Sequence, residues 1–331
     1  MSVSPWPTRW TGAVAKFYPS KLQGKSLKTF FVVAQLKFGL LLPHFCELAS
    51  VEKCLEGSQQ AEAYGFDSVW VMDHVFIERP GGRVLSHEPM VCLAQVAAAT
   101  TKISLGSLVL SHAFRHVGQL AREAAALADM SAGRFVLGLG TGWHRPEFDA
   151  MDLPFDHRVS RLEEAVEPLQ RMLKGEPASL DGAWLRLTEA SIAVTAPSPP
   201  LWIAAEGPRM LALAARADGW NHAYWGGDDT ARFEAALARL QAELDRLGRD
   251  PDEVELSASI ACVLDGWREI PGGFREPEVS VGPPERIAEL IATYAQAGAQ
   301  HVILSLSPDP YAEIDPEALE KAATILNLLT G

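Results

Sequence analysis

Eight times along this chain a short β-rich apolar run gives way to a stretch of helical periodicity, and that alternation constrains the fold more than any other feature. The runs are Lys37–Leu42, Asp67–Met72, Ile103–Leu110, Phe135–Leu139, Leu201–Ala204, Gly219–Ala223, Val254–Leu264 and His301–Leu306. Helices are expected over Ser50–Tyr64, Glu88–Thr100, Gly118–Met130, Arg158–Leu173, Arg209–Arg216, Thr230–Leu247, Pro284–Ala297 and Pro316–Leu329. Most helix-to-strand links are two to four residues with a glycine, as a helix C-terminus prefers. The strand-to-helix links are longer and richer in His, Trp, Pro and charge. In a parallel barrel that asymmetry separates the working face from the stabilising face. A doubly wound open sheet would instead want a Gly-x-Gly-x-x-Gly turn after the first strand, with an acid about 20 residues on. The first strand here ends in Leu42-Pro-His-Phe45. The expected fold is therefore α/β, a (β/α)8 TIM barrel with insertions on its C-terminal face.

Two segments interrupt the alternation. Gly175–Pro200 contains Asp181-Gly182 and the strand-like runs Trp184–Leu187 and Ser191–Val194, which together suggest a hairpin excursion. Asp265–Gly282 has neither period, and a loop of that kind on the working face is a candidate lid. Residues 1–36 stand apart, with Arg9, Lys16, Lys21, Lys25 and Lys28 but no acid before Glu47. They are expected as a disordered or loosely attached extension, leaving 37–331 as one barrel domain. The net charge of −13 argues against a nucleic-acid partner. No apolar run reaches the roughly 20 residues of a membrane span. Cys46, Cys54, Cys92 and Cys262 show no Cys-x-x-Cys or zinc spacing, which suggests reduced thiols in a cytoplasmic protein without a metal. Of the four, Cys46 alone follows a strand closely enough to be considered as a catalytic thiol.

The strand ends carry the chemistry. They read His44, Asp73-His74, Ser111-His112, Gly140-Thr-Gly-Trp-His144, Glu206-Gly207 and Asn221-His222 with Trp225. In a barrel these side chains face one pocket, so the chain is expected to be an enzyme. Gly138, Gly140 and Gly142 alternate along the fourth strand end; they suit either tight packing or a backbone cradle for phosphate, with Thr141 adding a hydroxyl. Ala204–Arg209, where the fifth strand meets a helix, is a second anion candidate. A metal-dependent hydrolase would want His-x-His after the first strand, and the chain has His44-Phe-Cys46.

Ala61-Glu-Ala-Tyr-Gly-Phe-Asp-Ser-Val-Trp-Val-Met-Asp-His74 resembles the second strand of luciferase-like flavin and deazaflavin oxidoreductases. Leu105–Ser111 with Arg115-His116, Ser131–Trp143, Glu147-Phe148 and Ala217–Asn221 resemble the same family, in order, over about residues 37–329. The resemblance implies a bound deazaflavin, coenzyme F420, or alternatively FMN. It implies His74 as the catalytic, proton-handling residue. Asp73, Ser107, Leu108 and Val109 would lie at the ring, with a non-prolyl cis peptide at Leu108-Val109. Gly140, Thr141 and Gly142, with Ala205, Glu206 and Gly207, would hold the cofactor phosphate, and His44, Trp143, His222 and Trp225 would line the substrate pocket. Thr141 stands where flavin-bound members often have arginine, which favours the deazaflavin branch. Trp143 replaces the acid of the deazaflavin-dependent sugar-phosphate dehydrogenases, and Glu206 replaces a glycine. The resemblance implies hydride transfer between a deazaflavin coenzyme and a small organic substrate. The alternative is an FMN-dependent two-component monooxygenase, served by a flavin or deazaflavin reductase. A homodimer is also expected.

Overall fold

The computed structural model describes residues 35–44, 50–79, 82–264, 279–306 and 318–330. Eight parallel strands close a barrel in the order β1 (Lys37–Leu41), β2 (Ser68–Val71), β5 (Ser104–Ser107), β7 (Phe135–Gly140), β10 (Leu201–Ala205), β11 (Gly219–Gly226), β12 (Glu255–Leu264) and β14 (His301–Ser305). Two pairings complete the circle: Leu201 opposite Leu137 between the fourth and fifth barrel strands, and Lys37 opposite His301 between first and last. Around it lie α1 (Val51–Tyr64), α2 (Pro89–Ala99), α3 (Val117–Met130), α5 (Arg158–Leu173), α6 (Pro208–Ala214), α7 (Ala231–Leu247), α8 (Pro284–Gln296) and α9 (Ala318–Thr330). The ends of these helices obey local chemistry. The Ser50 hydroxyl accepts the Lys53 N–H to start α1, and Gly65 ends it at φ 87°, a left-handed conformation costly for any side chain.

The structure departs from the expected elements in four places. The third strand is not continuous: it stops at Ser107, passes a cis peptide between Leu108 and Val109, and resumes as β6 (Leu110–Ser111) beside β7. A hairpin, β3 (Phe76–Arg79) with β4 (Gly82–Leu85), follows the second barrel strand, and a short helix α4 (Arg145–Ala150) follows the fourth. The hairpin buries Phe76, Ile77 and Val84, and the helix buries Phe148. The excursion before the fifth barrel strand is a hairpin, but its strands are β8 (Ala178–Asp181) and β9 (Arg186–Ala190), so the run at Trp184–Leu187 enters the second strand and the run at Ser191–Val194 forms none. It leaves the bottom of α5 and folds back up along that helix. From the proposed lid, Val279–Gly282 is described and β13 (Ser280–Gly282) pairs with β12; residues 265–278, like 1–34 of the expected 1–36 extension and Cys46, lie outside the described residues.

The main core lies between barrel and helices, and a second one fills the barrel itself. Trp70 and Trp202 meet there with ring centroids 4.9 Å apart. Their bulk explains three strand glycines, because a Cβ added at Gly39, Gly106 or Gly219 would fall 2.7, 2.3 or 2.3 Å from an indole atom. Below the indoles runs a chain of polar contacts. Trp70 Nε1 donates to Ser68 Oγ (2.7 Å), which contacts His301 Nε2 (2.7 Å), and His301 Nδ1 reaches Glu255 (3.0 Å), itself paired with Lys37 (2.9 Å). Burial opposes the Glu255 charge, but His301 and Lys37 outweigh it and hold the carboxyl below its ordinary pKa. The bottom of the barrel is thereby plugged. No described helix is long and apolar enough to cross a membrane.

Candidate active site

β2 delivers Asp73 and His74 to the top of the barrel, and each is immobilised by a different partner. Glu147, from the first turn of α4, is only 2% exposed. Its carboxylate accepts the backbone N–H groups of Val75 (2.5 Å) and Phe76 (3.2 Å), and its second oxygen lies 3.1 Å from His74 Nδ1. A carboxylate only accepts, so this contact places the proton on Nδ1 and the lone pair of the neutral imidazole on Nε2. Trp143 and His144 stand edge-on to the same ring, at 5.6 and 6.4 Å. Two buried polar atoms nearby, Ser111 Oγ and His144 Nε2, have no hydrogen-bond partner among the described residues.

Asp73 faces Arg115 rather than His74. The guanidinium grips both carboxylate oxygens (2.5 and 3.1 Å), the Ser111 N–H adds a third bond (2.9 Å), and Glu88 binds Arg115 from outside (2.5 Å). Burial pushes the Asp73 carboxyl up, against Arg115 and the Ser111 N–H. Burial also opposes the charge on Arg115, but Asp73 and Glu88 prevail and keep it firmly protonated. A cavity of about 730 Å³ opens beside Asp73 and His74 and runs outward between α2 and α3, past Glu88, Val91, Glu123 and Met130. Gly140, Thr141, Ala205 and Gly207 are not on its walls, so it reaches His74 from the helix side and not across the barrel mouth.

Other expected site residues have different surroundings from those anticipated. Ser107 is fully buried, and its hydroxyl donates to Gly138 O and accepts from Gly138 N–H (both 2.9 Å), bridging the sheet where the third strand breaks. Its hydroxyl holds the break in place. Leu108 is buried in the barrel core, and Val109 packs against it. Gly138 and Gly140 make room for this break: a Cβ there would meet Ser107 O at 2.0 Å and Val109 Cγ2 at 2.6 Å. Gly142 adopts φ 72° against Ser111 and Phe148, and Arg158 donates to its carbonyl (3.0 Å). Thr141 is half-buried, with a long contact to Gly142 O (3.4 Å). Ala205 is buried, whereas Gly207 is open, with nothing within 4 Å of an added Cβ. Glu206 forms a bidentate ion pair with Arg232, which holds its carboxyl below the ordinary range.

His44 is 0% exposed and clamped between strands: Nδ1 lies 3.1 Å from Leu42 O, Nε2 lies 2.8 Å from Met72 O, and Met72 N–H reaches the same nitrogen. Burial lowers its pKa to about 4. It offers a substrate no surface. His222 is likewise buried, against Trp220 and Phe233, with its pKa lowered by burial to about 4. Trp143 is the open member of the expected pocket, at 62% exposure. The side chain of Trp225 lies outside the described part, although its backbone pairs with Ser259 beyond a register shift in β11. Arg83, Arg145 and Arg209 each face an acid, Glu78, Asp149 and Glu163 respectively, and so form no basic patch. Among the described residues no three His, Cys, Asp or Glu side chains gather as a metal site.

Comparison with known proteins places this geometry. Residues 36–270 match the luciferase-like monooxygenase family. The F420-dependent hydroxymycolic acid dehydrogenase of Mycobacterium tuberculosis is 32% identical over 256 residues, covering 72% of this chain and 69% of that protein. The F420-dependent glucose-6-phosphate dehydrogenase of Beutenbergia cavernae is 32% identical over 274 residues, covering 76% and 80%. In fold the chain is similar to the coenzyme F420 dependent tetrahydromethanopterin reductase of Methanopyrus kandleri, with a TM-score of 0.71 at 22% identity over 89% of this chain and 99% of that one. The chain belongs to the luciferase-like monooxygenase family and is an oxidoreductase.

Proposed function

We propose that the protein moves a hydride between a deazaflavin, coenzyme F420, and a small organic substrate, with His74 handling the proton. The observation that carries this reading is the His74–Glu147 pair at the end of β2, on the wall of the cavity that opens there. The F420-dependent relatives support the choice of cofactor. The residues present suit such a group: Ser111 Oγ and His144 Nε2, near His74, have no partner among the described residues, Gly207 leaves open space, and Arg232 neutralises the Glu206 carboxylate that would otherwise oppose an anion.

Gly140, Thr141 and Gly142, with Ala205, Glu206 and Gly207, would hold the phosphate through backbone N–H groups, and Leu108 and Val109 would back the ring. Asp73 and Ser107 would act by fixing the strand ends that flank it. When bound, the deazaflavin supplies the hydride chemistry. His74 Nε2 takes the substrate proton in oxidation and returns it in reduction, while Glu147 keeps the proton on Nδ1 and stabilises the charged ring. Trp143 gives the substrate an apolar wall.

Titration of the purified protein with F420 and, separately, FMN, read by cofactor fluorescence, tests the reading. Tight binding of F420 with turnover of an alcohol or activated alkene is the expected result. Tight binding of FMN alone, with oxygen uptake in the presence of a flavin reductase, replaces it with the two-component monooxygenase. Binding of neither overturns both.

A further inference from the structure

A second cavity, of about 170 Å³, lies in the helix layer outside β7, apart from His74. Leu120, Leu139, Leu162 and Leu169 form its apolar walls, and the tip of the β8–β9 hairpin closes it with Trp184 and Leu185. That tip is built rather than draped. Glu164 accepts the N–H groups of Ala183 (3.0 Å), Trp184 (2.8 Å) and Leu185 (3.0 Å), and Gly182 N–H donates to Leu185 O (2.9 Å). The Trp184 indole so positioned stacks on His157 at 4.6 Å, with the Arg161 guanidinium 4.5 Å from its ring centroid. Glu164, one turn along the helix from Arg161, is therefore occupied by the hairpin.

Two of the groups lining this cavity are left unsatisfied. Arg161 Nε and His112 Nε2 are buried with no hydrogen-bond partner among the described residues. Arg161 takes part in no ion pair there either, unlike Arg115 on the neighbouring wall, which Asp73 and Glu88 hold. Burial and the Arg161 charge lower the His112 pKa to about 4, so at neutral pH the imidazole is uncharged and keeps one N–H to offer. One end of the cavity thus presents a planar cation and a neutral donor, and the remaining walls are mostly hydrocarbon, with Arg115 and His116 as the other polar side chains.

We propose that this cavity binds a small carboxylate with an apolar body, its oxygens on Arg161 and His112 and its hydrocarbon against Leu120, Leu139, Leu162 and Leu169. The guanidinium fork matches the two oxygens of a carboxylate. Phosphate or sulfate would leave further oxygens facing leucine, and water would find few of the two to four partners it needs. At about 20–30 Å³ per non-hydrogen atom the space suits a body of roughly six such atoms.

Calorimetric titration of the full-length protein with hexanoate at neutral pH tests the assignment and needs no turnover, so it stands apart from the test of the redox reading. Saturable binding to one site is expected, at least about tenfold tighter than hexanamide in the unaltered protein, a comparison that uses no variant. Arg161→Gln is expected to weaken hexanoate by about tenfold or more, and Ala165→Phe, which fills the cavity, to abolish it, each variant first matched in circular dichroism and Tm. Absence of saturation by about 10 mM, equal affinity for hexanamide, or unchanged affinity in either variant overturns the proposal.

Discussion

Glu147 separates what the residues state individually from what they do together. His74 is legible from the sequence because it ends a strand, and strand ends face the pocket. Glu147 lies 73 positions away, as an acid in the first turn of a short helix, and nothing local marks it as the partner of an imidazole. The same holds for Arg115, whose buried grip on Asp73 and Glu88 depends on three separate segments. Replacing His74 with Ala is expected to lower kcat by about 10²–10⁴ without comparable loss of F420 affinity, in steady-state kinetics paired with a fluorescence titration. Glu147→Gln should lower kcat by roughly 10–100-fold, the range seen when an orienting hydrogen bond to histidine is removed. Its specific sign is spectroscopic: ¹⁵N NMR of the His74 ring should show loss of the Nδ1–H tautomer that the carboxylate fixes. An unchanged tautomer would reduce Glu147 to a strut for the Val75 and Phe76 amides.

At the scale of elements, period and capping were enough. α5 spans Arg158–Leu173 as the pattern predicts, and the helices closed by Gly65 and Gly248 end where left-handed glycines allow. What escaped is where side chains override periodicity. Where the third barrel strand breaks, the Ser107 hydroxyl bonds to Gly138 across the gap, and Glu164 holds the tip of the β8–β9 hairpin. The glycines of the fourth strand were ambiguous between cradle and packing; Gly138 and Gly140 now have a packing reason, since Val109 and Ser107 occupy the space of any side chain. Close approach also makes a quantitative contrast. Gly106→Ala places a Cβ 2.3 Å from Trp70 and should cost about 1–3 kcal/mol or more in urea unfolding, whereas Gly207→Ala, in open space, should shift stability by less than about 0.5 kcal/mol. Equal urea midpoints for the two variants would show that the indole can move aside.

For the whole molecule, the architecture followed from eight alternations and the asymmetry of their links, while the plug of the barrel did not, since its parts come from the starts of four different strands. A second global property lies in the buried histidines. His44, His112 and His222 each have a folded pKa near 4 against an ordinary 6.5, with burial the leading cause. The folded state holds them neutral, and the unfolded chain begins to take up protons below about 6.5. Stability is therefore full above that pH and declines as pH falls from about 6.5 towards about 4, by up to roughly 10 kcal/mol for the three together. Urea midpoints at pH 7.5, 6 and 5 check this, and a flat series over that range would contradict it. The tryptophan pair has its own consequence for traffic. With Trp70 and Trp202 across the middle and Lys37, Glu255 and His301 beneath them, the barrel is closed from below, so whatever reaches His74 comes and goes at the upper end, across the mouth or along the cavity between α2 and α3. Two reactants meeting there can use separate doorways, so neither has to wait for the other to leave.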